Sequence, residues 1–550
     1  MKKITFPTLL IAALLSFTSC HIRRQADSIF YNAKIYTVDN GFSVTEAMAI
    51  KGGKILALGS SQDILDEFAA STKIDVKGKF IYPGFIDAHC HFYGYSTDLL
   101  KCDLYGTTSF DEVLTRLINY SKTNKFTWNL GRGWDQNDWE NKEFPTKEKL
   151  DSLFPSKPVF LMRIDGHAAL CNSKALALAN INPSTKVAGG EVILKNGKTT
   201  GLLIDNAIDL IKNKIPVFSN ELINESLLKG QENCFAVGLT TVDDAGLGKD
   251  TIMAIHKLQK DGKLKMRIYA MMSDETSTLK HFFTHGPIIS DKLKVRAIKV
   301  YADGALGSRG ACLKKEYSDM PGYYGNLLHP YDYFVKIADE ALEKGFQLCT
   351  HAIGDSANKV ILDVYSKHLG GENNKRWRIE HCQLVDEIDR AKFGNNNIIP
   401  SVQPTHATSD MYWVKDRIGE SRMHTAYAYK SLRDDSNGLI AFGTDFPVED
   451  ISPIKTFYAA VYRRDLDGLP EDGFQIDERT KRKDALRAMT IWAAYSNFEE
   501  EEKGSLEEGK FADFVILDKD LLKMDESKIP STQVLETYLD GKKVYERRKK

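Results

Sequence analysis

Pro83-Gly84-Phe85-Ile86-Asp87-Ala88-His89-Cys90-His91 is the stretch on which the reading of this 550-residue chain turns. An apolar run leads into a His-x-His pair. On an extended strand residues i and i+2 share a face, so His89 and His91 point together at the strand's C-terminal end. Such a pair gains meaning from the later segments of the chain. Leu348-Cys349-Thr350-His351 ends a second apolar run, Arg378-Ile379-Glu380-His381 another, and Ala441-Phe442-Gly443-Thr444-Asp445 one more. Ala297-Ile298-Lys299-Val300-Tyr301-Ala302-Asp303-Gly304 places a lysine in a run of the same kind. Four histidines and an aspartate, each ending an apolar strand-like segment, are not a chance pattern.

These segments belong to a set of eight, at 84–91, 238–244, 266–272, 295–303, 346–351, 377–382, 398–403 and 439–445. Stretches of helical spacing such as 331–344 and 387–393 separate them. The alternation implies a parallel sheet. Eight such units make an α/β fold, the (β/α)8 TIM barrel, with its active site at the C-terminal strand ends. Residues 83–495 are assigned to it. From about 95 to 223 the chain makes an excursion too long for an unstructured loop, expected to be a cap over the barrel mouth. The flanks, 21–82 and 496–550, carry short alternating strands with turn signals at Gly52-Gly53 and Asp540-Gly541. Neither has enough strands for a sheet of its own, which predicts one small β-sandwich built from both termini.

Composition narrows the function classes. Hydrophobic residues at 42% and charged residues at 27% describe a folded globular chain. Lys plus Arg (74) balances Asp plus Glu (75), and no basic stripe appears, which removes nucleic acid as a partner. The first 20 residues stand apart. Lys2-Lys3 precedes an apolar stretch, Thr8 to Phe17, too short to span a bilayer, and Cys20 follows. This resembles a bacterial lipoprotein signal. The resemblance implies export, lipidation at Cys20, and membrane contact through that lipid alone, facing the periplasm or the outside. Seven further cysteines, an odd and scattered set without a CxxC, read mostly as buried small hydrophobes rather than disulfide partners.

Imidazole and carboxylate side chains suit Zn2+ or a similar divalent ion. His89, His91 and Asp445 form one candidate ligand set, His351 and His381 a second, with Lys299 beside them. Together with Arg163-Ile164-Asp165-Gly166-His167, Ala305-Leu306-Gly307-Ser308-Arg309-Gly310, Ala352-Ile353-Gly354-Asp355 and Phe446-Pro447-Val448, these motifs make the chain resemble the amidohydrolase superfamily. The branch is the one that includes N-substituted formamide deformylases, and the resemblance covers nearly all of the mature chain.

That resemblance implies a hydrolase of a non-peptide, amide-type C–N bond in a small molecule, such as an N-formyl or N-acyl compound. It also implies two divalent ions, Zn2+ first, with Mn2+, Fe2+ or Co2+ as alternatives. Lys299 either bridges the ions as a carbamate or remains an ammonium facing Asp303 or solvent. A water activated by the ions would have its pKa lowered toward ~7, with Asp445 as ligand and as the base that later protonates the leaving nitrogen. His167 is assigned to the substrate carbonyl or oxyanion, or else to a hydrogen bond within the cap.

Trp134 and Asp135, in Gly131-Arg132-Gly133-Trp134-Asp135, either shape a substrate loop or pack the cap. Arg309 either forks onto a substrate carboxylate or carbonyl or pins its own loop. Gln403 and His406 end the seventh strand, one of them as an amide-binding group. Asp355 is expected to orient a ligand imidazole. The competing enzyme is a one-metal deaminase or cyclic amidase. The competing non-enzyme is an inactive, tethered binding lipoprotein, disfavoured because every ligand position is filled. Assembly into homo-oligomers stays open.

Overall fold

The computed structural model describes residues 23–548 apart from 165, 167, 188 and 189. The signal segment, Cys20 and His167 therefore lie outside the described residues.

The eight barrel strands are β1 (Phe85–Cys90), β2 (Leu239–Leu247), β3 (Arg267–Ser273), β4 (Leu293–Tyr301), β5 (Gln347–Ala352), β6 (Arg378–His381), β7 (Ile399–Val402) and β8 (Ala441–Phe442). Each is hydrogen-bonded in parallel to the next in chain order. The last seam is closed by two backbone hydrogen bonds just beyond β8. The Asp445 amide donates to the His89 carbonyl at 2.8 Å, and the His91 amide donates to the Phe446 carbonyl at 2.8 Å. Gly443 permits that approach, because a Cβ there would lie 2.5 Å from the His89 nitrogen.

The helices between strands follow from spacing. In Tyr331–Lys344, Phe334, Ile337, Ala338 and Ala341 are buried at i, i+3, i+4 and i+7. The helix stops where Gly345 turns left-handed at φ 74°. Among the described residues no helix is long and apolar enough to cross a membrane. All seven described cysteines are free, and only Cys312 is not fully buried.

The excursion between β1 and β2 carries a six-stranded mixed sheet running from Cys102–Asp103 to Lys198–Asp205. Apolar clusters cover both faces, one around Trp134, Trp139 and Leu161, the other around Trp128, Phe160 and Leu203. The first of these corrects two site assignments. Trp134 is 1% exposed and donates its indole N–H to the Leu161 carbonyl at 2.9 Å, so it packs the sheet and has no face for a substrate. Asp135 is engaged by the Arg163 guanidinium on the adjacent strand.

Two further sheets come from the flanks. One contains Arg24–Tyr31, Ala47–Lys51, Lys54–Gly59 and Phe68–Asp75. In the other, Phe80–Pro83 pairs antiparallel with Phe514–Leu517, so residues from the two ends of the chain share one ladder. Phe30 from the first sheet packs edge-on against Phe514 and Tyr538 of the second, at 4.9 and 5.0 Å between ring centroids.

Arg267, the first residue of β3, joins this unit to the barrel. Its guanidinium, 1% exposed, grips the buried Asp513 at 2.6 and 3.0 Å, pairs with the half-buried Asp540 and donates to the Asp291 carbonyl at 2.7 Å. Removing one member of a buried ion pair strands the other. Arg267→Met is therefore expected to cost about 3–5 kcal/mol, read as a lowered urea midpoint. An unchanged midpoint would show that the two units do not depend on this contact.

Candidate metal centre

The C-terminal ends of β1, β4, β5 and β6 and the segment after β8 bring the polar groups together. His89 and Asp445 approach to 3.5 Å, and His91 and Asp445 to 3.1 Å. The Lys299 ammonium lies 3.3 Å from His89 Nε2. The His381 ring is 4.8 Å from that of His89 and 4.4 Å from that of His351, measured between centroids. His406 Nε2 lies 3.8 Å from the second Asp445 oxygen. Two of these residues hold strained backbones: His381 sits at φ 76° and Asp445 at φ 62°. Left-handed conformations cost an L-residue about 1–2 kcal/mol each, and such strain collects at functional sites.

Protonation follows from the surroundings. Burial, aided by the Lys299 charge and opposed by Glu380, pushes His89 down to about 4. Burial and then Lys299 take His351 down to about 3. Burial followed by the neighbouring histidines drives His381 well below its ordinary value. All three are neutral imidazoles at pH 7, the form that ligates metal. Burial alone would raise Asp445. The His91 hydrogen bond and the charges of His89, His406 and His91 outweigh it and hold the carboxyl well below the usual range. Burial brings Lys299 down to about 8.

The donor set fits a divalent ion. His89, His381 and Asp445 each offer a ligand atom, and these atoms lie within 4.8 Å of one another. Nε2 of His351 is buried with no hydrogen-bond partner. A buried nitrogen lone pair without a donor is costly in a folded protein, and a cation satisfies it. The outer nitrogens are already engaged: His89 Nδ1 donates to Glu380 at 2.6 Å, His91 Nδ1 to the Ala245 carbonyl at 3.1 Å, and His381 Nδ1 to Gln403 at 2.8 Å.

The fate of the other expected residues differs. Gln403 orients His381 through its carbonyl oxygen, while its amide nitrogen is buried without a partner. His406 does reach the centre, with Nδ1 accepting from Gln383 at 3.2 Å. Asp355 starts the Asp355–Leu369 helix and accepts from the Lys314 amide at 2.8 Å, so it orients the loop before β5 rather than an imidazole. It is Asp303 that comes near His351, at 3.7 Å, while accepting from the amides of Cys312, Ile353 and Gly354 at 2.8–2.9 Å. Arg309 pins its loop through Asp319, which Arg417 also engages.

Sequence reasoning passed over Glu380, although it stands beside His381 in Arg378-Ile379-Glu380-His381. The signal was a carboxylate directly before His381 in a strand buried throughout.

Comparison with known proteins agrees with this geometry. The family model described as "Amidohydrolase family" matches residues 72–545. The chain is 33% identical over 541 residues to Protein LONG AFTER FAR-RED 3 of Arabidopsis thaliana, covering 94% of this chain and 92% of that one. It is 26% identical to the N-substituted formamide deformylase of Arthrobacter pascens, covering 95% and 99%. A crystal structure of an uncharacterized metal-dependent hydrolase from Pyrococcus furiosus superposes with a TM-score of 0.76 at 30% identity, covering 90% of this chain and all of that one. The chain belongs to the amidohydrolase family and is a hydrolase on a (β/α)8 barrel.

Proposed function

We propose that this hydrolase cleaves the C–N bond of a small, non-peptide amide such as an N-formyl or N-acyl amine, with water as nucleophile. The observation that carries the reading is the meeting of three neutral, buried imidazoles with an ionised carboxylate at one rim of the barrel. Similarity to a formamide deformylase supports the choice of bond. His89, His91 and Asp445 would hold one divalent ion, His351 and His381 a second. Such ions, Zn2+ first and Mn2+, Fe2+ or Co2+ as alternatives, polarise a carbonyl and lower the pKa of water.

The chain's own groups divide the remaining work. Asp445, anionic and 6% exposed, takes the proton from the attacking water and returns it to the departing nitrogen. His406 faces the same space with a free Nε2, suited to contact the substrate carbonyl. His167 is proposed for the same oxyanion. Lys299, as a neutral amine, would add to CO2: its nitrogen would form the N–C bond as one C=O π bond opens to a carboxylate and one proton leaves, giving an anionic carbamate that could help hold divalent ions. The compact His89–His381–Asp445 group, sufficient for one ion, supports the alternative of a one-metal deaminase.

Elemental analysis of the 21–550 chain separates these readings. About two ions per chain, falling in Lys299→Ala, is the expected result; one ion indifferent to Lys299 would favour the deaminase. Asp445→Asn should lower kcat/KM on N-formyl amines by about a hundred- to ten-thousand-fold.

The carbamate has a pH signature. Only the neutral amine reacts, so the initial rate of 13C-labelled CO2 uptake at fixed CO2 pressure should rise about tenfold per pH unit below pH 8 and level off above it. A pH-independent uptake, or none, would remove Lys299 as bridge.

We further propose that Cys20 carries the lipid and tethers the enzyme outside the cytoplasm. In a bacterial host the wild-type chain should sediment with membranes and Cys20→Ala should not.

A further inference from the structure

Glu380 and Arg378 are both fully buried on β6, and neither is a ligand in the proposed centre. Successive residues of a strand point to opposite faces, so Arg378 and Glu380 share a side, while His381, at a positive φ that departs from the alternation, keeps its ring beside His89. Arg378 donates from Nε to Glu380 Oε1 at 2.8 Å and from Nη1 to Asp243 at 2.9 Å and Asn497 at 3.0 Å. Its Nη2 donates to the Ala88 carbonyl at 2.7 Å. The other Glu380 oxygen accepts from His89 Nδ1 at 2.6 Å. One guanidinium therefore fixes the main chain immediately before His89 and the carboxylate that grips the His89 ring.

We infer that Glu380, held by Arg378, is a positioning residue that commits His89 to the Nδ1–H tautomer and keeps Nε2 as a lone pair facing Lys299 and Asp445. The three oriented imidazoles differ in their acceptors. His91 has a backbone carbonyl and His381 a side-chain amide; His89 alone has a carboxylate. A charged acceptor makes a stronger hydrogen bond and raises the ligand's basicity. The neutral tautomer with hydrogen on Nε2 would leave two lone pairs facing each other across 2.6 Å. Glu380 thus excludes the form that cannot ligate at the position where His89 must. The inference rests on the metal-centre reading only for its purpose; the tautomer is a property of the chain alone.

The experiment uses the 21–550 chain labelled with 15N-histidine, metal-free and then Zn2+-loaded, as wild type, Glu380→Gln and Asp243→Asn. Asp243→Asn disturbs the same Arg378 pairing without touching His89 and controls for general loosening of the barrel. In the metal-free wild type, the His89 resonances, assigned by their loss in His89→Gln, should report a single Nδ1–H tautomer. Glu380→Gln should mix the tautomers, because a side-chain amide can donate as well as accept.

Release of Zn2+ to a chelator should be about 10- to 100-fold faster in Glu380→Gln than in wild type, and little changed in Asp243→Asn. A His89 tautomer unaltered by Glu380→Gln, or equal acceleration in Asp243→Asn, would overturn the positioning role. A wild type that takes up no Zn2+ would defeat the metal-centre reading instead, and the metal-free tautomer would still decide the role of Glu380.

Discussion

The hydrogen bond from the Asp445 amide to the His89 carbonyl holds together what the sequence keeps far apart. β8 is only two residues long, too short to close the barrel by its own ladder. Closure is completed by this bond, by its companion from His91 to Phe446, and by Asp87, whose carboxylate receives the Thr444 amide at 3.0 Å and hydroxyl at 2.7 Å. Asp87 also receives the His89 amide at 3.2 Å. Three candidate ligands, His89, His91 and Asp445, are thus residues of the seam itself, and anything that parts β1 from β8 separates them.

A second constraint is the cost of charge in a dry interior. Arg378, Glu380, Asp243, Lys299 and Asp445 lie within a few side-chain lengths of one another, nearly all out of contact with water. Buried ions persist only when paired and hydrogen-bonded. The lower group, Arg378 with Glu380, Asp243 and Asn497, is fully matched. The upper group is not, since His351 and His406 keep unpartnered nitrogens. Within this cluster the unmatched nitrogens lie in the upper layer, where a reaction would take place.

Much of this was readable from the sequence. All eight barrel strands lie where apolar runs and intervening helical spacing place them, because a strand buried on both faces leaves an unbroken hydrophobic signature. The histidines and Asp445 were visible as polar residues ending those runs. The misreadings share one cause: sequence shows which residues could act, not which are already engaged. Trp134 resembled a pocket aromatic until the Leu161 carbonyl took its N–H. Of Gln403, sequence could not show that its carbonyl oxygen belongs to His381 on the neighbouring strand. Asp355 and Asp303 are both acids near His351 in sequence or space, and only backbone geometry tells that Asp303 lies nearer the ring.

The shared ladder between Phe80–Pro83 and Phe514–Leu517 governs the order of assembly. As the chain emerges from its N-terminus, the early strands wait with one edge unpaired while the whole barrel is made. An unpaired edge is a template for the wrong neighbour. The entropy of closing such a long loop is recovered only when the late strands arrive. The small sheet should therefore be the last part to set, when Phe514 and Tyr538 close on Phe30.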